Sequence, residues 1–240
     1  MASLESVRQK HNRARSHFDE YNRELLAYYQ STPGEMVTQP DSSAQYHHLA
    51  FHEREPIPTK FGLIAGDCLQ CLRTCLDYLV WELVSSAGNE PTRHNLFPIA
   101  LTEKAFKDDV KKRHRLDGVD PRAVAIIESL QPFHLPDGQR ERSPLAVIDD
   151  LANINKHRRI LLTAFGAQVM EGESLLFPAI RVSLNVGPQP DQMTVQGRMA
   201  YFIVFQDGAL KNSEVSSSLG VLAKFLAVDV FPKFKGFFIE

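Results

Sequence analysis

From Leu4 onward the positions Val7, His11, Ala14, Phe18, Tyr21, Leu25 and Tyr28 recur in alternating steps of three and four, the seam of a helix that packs along its whole length. Ser3 is the expected N-cap. Thr32-Pro33-Gly34 should stop the helix, because proline disfavours helical geometry in the residue before it and glycine permits the turn. The seam is assigned to a partner helix of the same chain, with a homodimer as the alternative. A short alternating run around Tyr46 to Phe51 predicts a strand, and Pro56 and Pro58 keep the following chain extended.

Residues 60 to 86 form the most apolar stretch, with Leu69, Leu72, Leu76, Leu79, Val80 and Leu83 in one stripe that Cys68, Cys71 and Cys75 widen. A helix apolar over so much of its circumference is central. Arg73 falls on its buried side and Asp77 follows one turn later, the spacing of an i,i+4 ion pair. Lys104 to Leu116 predicts a basic helix. Asp120-Pro121 starts another that Gln131-Pro132 ends, and Ser143-Pro144 opens a third, over 144 to 162. On this last helix Leu145, Ile148, Leu151, Ala152 and Leu162 share a face with Asn155 and Arg159, while Asn153 and His157 point elsewhere.

After Ala164 the texture changes to β-branched and aromatic runs over 168–177, 180–186 and 198–206, separated by turn signals, which predicts a small antiparallel sheet. A last helix capped by Ser217 or Ser218 carries Leu219, Leu222, Leu226 and Val230 and should halt at Pro232. The expected architecture is mainly α: a helical bundle over residues 1–165 and a small α+β portion over 166–240, with an antiparallel β-sheet and a final helix packed on the bundle. No internal repeat is present.

Charge excludes one class of partner and leaves another local. The 27 basic residues against 29 acidic ones give a net charge of −2, so no whole-molecule field draws the chain to nucleic acid or to an anionic membrane. The amino-terminal stretch lacks an apolar core and no uninterrupted apolar run reaches the length of a membrane span, so a cytoplasmic protein without a membrane partner is expected. A polyanion site would have to be a patch. Lys111, Lys112, Arg113, His114 and Arg115 offer one, with a solvated face broken by Asp108 and Asp109 as the plain alternative.

The three cysteines lie within one short segment, which is no disulfide framework. Their spacing suits either a helix interface or, less simply, a metal, for which no fourth ligand stands at a recognisable spacing. His47, His48 and His52 admit the same two readings. No metal and no cofactor is therefore expected. Phosphate-loop, dinucleotide, zinc-protease and hydrolase-elbow motifs are missing from the sequence.

What remains is the pair of helices carrying Arg73, Asp77 and Tyr78 on one, and Asn153, Asn155, Lys156, His157, Arg158 and Arg159 on the other. Packed together, Asp77 can accept from Arg73 or Arg159 while Asn155 bridges, a closed network that fixes helix register. Opened onto a groove, the same cluster offers an imidazole for proton exchange and cations for a phosphate, which suits binding of a phosphate-bearing ligand or metal-independent cleavage of RNA.

The segment Gly66-Asp67-x-Leu69-x-x-Leu72-Arg73-x-x-Leu76-Asp77-x-Leu79-x-Trp81, followed by Phe97-Pro98-Ile99, Leu130-Gln131-Pro132 and Asn153-Ile154-x-Lys156-His157-Arg158, resembles a family of uncharacterised bacterial proteins over roughly residues 1 to 165. That family is in turn similar to HEPN-type helical domains, many of them RNases or defence and toxin components. The resemblance implies a HEPN-like bundle and, for the nuclease branch, an arginine followed four to six residues later by a histidine, paired across a dimer. Here Tyr78 stands where that histidine commonly falls, and Gln70 replaces another. A phenol with a reference pKa of ~10 is a poor proton shuttle at neutral pH. The expected function is a non-catalytic binding or interaction protein with RNA or a phosphate ligand as its partner. A metal-independent RNase with His157, Arg73 and Arg158 as catalytic groups is one alternative, and a structural dimer without ligand is the other. Asp77, Asn153, Asn155, Lys156, Arg159 and Tyr78 are the expected ligand-binding residues.

Overall fold

The seam of the first helix finds its partner inside the chain. In the computed structural model, which describes residues 2–31, 34–40, 47–53, 56–169, 180–184 and 195–238, helix α1 (Glu5–Gln30) runs antiparallel to α2 (Thr59–Ser86) over their full lengths. Close approach follows from small side chains. The Cys68 thiol donates to the Ala14 carbonyl at 3.3 Å and the Cys75 thiol to that of Val7 at 3.8 Å. Burial pushes both thiols up to about 12, so they stay protonated and serve as small apolar side chains with a weak donor. Rings lock one end of the pair, with Tyr21 and Tyr28 each edge-on to Phe61 at 5.5 Å. At the other end the Glu82 carboxylate accepts from the Ser3 amide at 3.1 Å and the Ser6 hydroxyl at 2.6 Å, satisfying donors at the start of α1. The N-cap position is Leu4, with no side-chain cap bond, and Ser3 accepts from Glu5 instead.

Strands β1 (Gly34–Pro40) and β2 (His47–Glu53) form an antiparallel hairpin between these helices, with Met36 opposite Phe51. The strand expected near Tyr46 is β2; its partner had no alternating signature. The side chains of His47, His48 and His52, and with them the question of a histidine metal site, lie outside the described part of the structure.

Helix α5 (Pro144–His157) begins at the expected cap, the Ser143 hydroxyl accepting from the Ala146 amide, and runs antiparallel to α2. Gly66 makes this packing possible: a Cβ there would lie 2.1 Å from Asn155 Oδ1, and at Gly62 one would lie 2.5 Å from the Ile160 carbonyl. The helix is shorter than the 144–162 read from periodicity, because Arg158 is fully extended and Leu162 already belongs to β3 (Leu162–Val169). Strand β5 (Val195–Phe205) is central to an antiparallel sheet of order β3-β5-β4, with β4 spanning Ile180–Leu184. The expected extents over 170–177 and 185–186 lie outside the described residues.

Helix α6 (Val215–Phe225) completes the bundle beside α1: the His11 ring bonds the Ala223 carbonyl at 2.9 Å, and Ser216 donates to Asn22 at 2.5 Å. Its cap is Glu214, not Ser217 or Ser218, whose carboxylate accepts from the amides of Ser216 and Ser217. Pro232 does not end the helical run. The chain widens into a π turn over Leu226–Val230 and tightens into a 3-10 turn over Phe231–Phe237, which places Pro232 in a first turn where its missing N–H is not needed. By length and composition Val215–Phe237 would be long and apolar enough to cross a membrane, yet Leu219, Leu222, Leu226, Val230 and Phe234 are buried in the same core as α1, α2 and α5. The final helix is thus the fourth member of the bundle, and the architecture is mainly α with small antiparallel sheets.

Between α2 and α5, a loop and two short helices, α3 (Glu103–Lys111) and α4 (Pro121–Ser129), cover one part of the bundle. Asp120 caps α4 as expected, accepting from the Arg122 amide. Helix α3 stops five residues before Leu116, since His114 takes a left-handed φ of 58° and the Arg115 amide returns to the Asp109 carbonyl at 3.2 Å, a bond that closes helix ends.

Candidate functional site

Arg73 is buried on α2, and each of its three guanidinium nitrogens donates a hydrogen bond. Nη1 donates to Asp77 Oδ1 at 2.7 Å, Nε to Asp149 Oδ1 at 3.0 Å and Nη2 to the Phe97 carbonyl at 3.0 Å. Asp77 Oδ1 also accepts from the Phe97 amide at 3.0 Å, so one arginine and one aspartate fasten the loop to the helix through both polar groups of a single peptide residue. Asn153 donates to Asp149 Oδ2 at 3.2 Å. Two carboxylates against one guanidinium leave the cluster with one net negative charge.

The loop held this way is tied down again downstream. Gln131 Nε2 donates to the carbonyls of Pro98 and Ile127, and its Oε1 accepts from the Ala100 amide at 2.9 Å. Asn95 accepts from the Thr92 amide at 2.7 Å and donates to the Asp117 carbonyl at 2.9 Å. The Phe97-Pro98-Ile99 and Leu130-Gln131-Pro132 segments are therefore one buried joint, which is the physical content of their order in the chain.

Fixing that loop shapes a groove of about 530 Å³ whose walls include Asp77, Tyr78, Trp81, Glu82, Arg93 and Leu96. Three large apolar side chains stay open around it, Tyr78 at 42%, Trp81 at 47% and Leu96 at 37% exposure, where a core would have covered them. Asp77 is shared between groove and buried network: Oδ1 carries the two bonds above, and Oδ2 has no partner among the described residues. An aromatic wall, an open acceptor held in place from behind and a cation at the rim can seat a flat ring that carries N–H donors.

The other candidate residues gather elsewhere. Asn155 packs on Gly66, and Arg159 donates to the Thr59 hydroxyl at 3.1 Å, so neither meets Asp77 as the sequence reading expected; Asp149 takes that place. Lys156 and His157 are exposed at the end of α5, and Arg158 pairs with Asp207 at 2.5 Å. His157 lies eight residues beyond Asp149, about 12 Å along the helix. Within one chain, then, His157 and Arg73 do not converge.

The basic run near α3 is largely neutralised: Lys112 pairs with Asp108, Arg113 and Arg115 with Asp109, and His114 with Asp117 at 2.8 Å. Five side chains of this site escaped the sequence reading: Asp149, Trp81, Glu82, Arg93 and Leu96. Asp149 follows Leu145 by four and precedes Ala152 by three, which places it on the apolar stripe, and an acid on such a stripe is the sign that a buried cation faces it. Trp81 and Leu96 carried no such sign.

Comparison of the chain with protein-family models, with curated protein sequences and with solved structures returns no match.

Proposed function

We propose that this chain is a non-catalytic binding protein whose ligand is a flat, donor-bearing ring, an unpaired RNA base being the class that fits, seated in the groove between α2 and the loop before α3. One observation carries the reading: Tyr78, Trp81 and Leu96 are left exposed around a groove whose carboxylate, Asp77, is held by the buried Arg73. Tyr78 and Trp81 are three residues apart on α2 and share a face, so a base can stack on either and present its amino edge to Asp77 Oδ2. Arg93 at the rim supplies a partner for the attached phosphate.

Cleavage has less support than binding. Each guanidinium nitrogen of Arg73 already donates one bond, to Asp77, Asp149 or Phe97, which ties the arginine to the loop and leaves it poorly placed to serve a phosphate, and a phenol such as Tyr78 is a poor proton shuttle at neutral pH. A track of free cations for a long strand is also wanting near α3, which favours a short single-stranded segment over a duplex.

Trp81 is the single tryptophan of the chain, so its emission reports on this groove alone. Titration with a short single-stranded RNA at low salt should quench it saturably, Asp77→Asn and Trp81→Phe (the latter read by gel retention) should weaken binding about tenfold, a loss of ~1.4 kcal/mol, and the RNA should remain intact. Unquenched emission together with no retention refutes the reading, and fragmentation of the RNA by wild type but not by His157→Ala restores the nuclease.

A further inference from the structure

A second pocket, of about 250 Å³, lies on another side of α1, between its first three turns and the π turn that follows α6. Its floor is apolar, from Leu4, Val7 and Phe231; its polar lining is Arg8, His11, Asn12 and Lys235. Among the described residues no carboxylate lines it, in a chain whose acidic residues outnumber its basic ones. Arg8 and Lys235 are both exposed and neither is held in an ion pair among the described residues, unlike the basic residues around α3.

His11 is the buried member of the group, and its tautomer follows from chemistry. Nε2 lies 2.9 Å from the Ala223 carbonyl, which can only accept, so Nε2 carries the proton. That bond and the edge-on contact with Phe231 at 5.6 Å fix the ring, and among the described residues Nδ1 has no partner. The backbone on the facing wall departs from regular helix at this place: the π turn contributes Ala227 and brings Phe231 and Pro232 to the pocket. Such widened turns within helices are rare and are frequently found at functional sites.

We propose that this pocket binds a small organic anion, a phosphate or carboxylate head joined to a short apolar group, with Arg8, Lys235 and Asn12 on the head and Phe231, Leu4 and Val7 on the tail. The site is independent of the groove beside Trp81, since none of its residues lines that groove.

Calorimetric titration of the full chain at low salt with phenyl phosphate, benzoate and benzylammonium tests it. One of the two anions should bind saturably with one site per chain, and any heat from the cation, which the groove beside Asp77 can also seat, should be unchanged by Arg8→Glu and Lys235→Glu. Arg8→Glu and Lys235→Glu should each weaken the anion at least about tenfold, while Lys233→Glu, the same charge change at an exposed position outside the pocket, should leave it within about twofold. Should a reversal unfold the chain by circular dichroism, Arg8→Gln and Lys235→Gln take its place with the same direction expected. Saturable heat from neither anion, benzylammonium binding that Arg8→Glu or Lys235→Glu alters, or equal weakening by Lys233→Glu overturns the proposal.

Discussion

Replacing Arg73 by methionine keeps most of the side-chain volume and removes three hydrogen bonds from a buried position, leaving Asp77 and Asp149 without the cation they share. A hydrogen bond to a charged group contributes about 1.5–3 kcal/mol. The bonds to Asp77 and to the Phe97 carbonyl lie in the covered part of the network, but the Asp149 side chain is 34% exposed and its share is screened toward the ~0.5–1 kcal/mol of a surface pair. The expected loss is therefore about 3–5 kcal/mol, the range for removing one partner from a buried pair. The triple replacement Arg73→Met, Asp77→Asn and Asp149→Asn removes the stranded charges as well and should lose less than Arg73→Met alone, since an ion cluster exchanged whole is often near neutral. Urea unfolding followed by circular dichroism and by Trp81 emission measures both, with coincident curves required before free energies are compared. A loss below about 1 kcal/mol for Arg73→Met, or a triple variant as costly as the sum of its parts, refutes the claim that this arginine holds the loop to the helix.

Gly66→Ala should destabilise by about 1–3 kcal/mol even though alanine is the better helix former by ~1 kcal/mol, because its Cβ would meet Asn155 Oδ1 at 2.1 Å; Asn155→Ala in the same chain should restore most of the loss, and a thermal melt without any such rescue contradicts the packing. Cys68 and Cys75 have folded pKa values raised to about 12 from 9.0, so their contribution is complete below pH 9 and is lost between pH 9 and about 12 as the unfolded chain ionises first. Stability in that window should fall by up to ~1.4 kcal/mol per pH unit for each thiol, and the Cys68→Ala, Cys75→Ala double variant should show a correspondingly shallower alkaline slope; an unchanged slope would mean that these thiols are not buried as described.

The long periodic elements were legible because burial on one side leaves a repeating trace: α1, α2 and the caps at Asp120 and Ser143 were found from spacing and cap chemistry alone. Boundaries set by backbone conformation left no such trace. Nothing in the basic run announces that His114 adopts a left-handed φ, and Pro232 is a stop signal only if the helix must continue as α, whereas a change of winding absorbs it. Strand β1 was unreadable because its sequence, Gly34 to Pro40, does not alternate. In the site, the Arg73–Asp77 pair was visible as an i,i+4 spacing, and its third partner was not, since contact between α2 and α5 depends on how two glycines let the axes approach. The exposed aromatic groove was hidden for a related reason: periodicity marks what a helix buries and is silent about which outward side chains a distant loop will frame.

Helices α1 and α6 bond each other across 194 residues, between Asn22 and Ser216, and across 212, between His11 and Ala223. During synthesis α1 emerges with a seam ready on two sides, yet only α2 follows promptly; the other side stays bare until α6 leaves the ribosome. Contacts this far apart in sequence are the slow ones to form. The side of α1 that carries His11, Phe18 and Asn22 therefore waits for its cover until the whole intervening chain has been made, while the side that carries Val7 and Ala14 is covered early by α2.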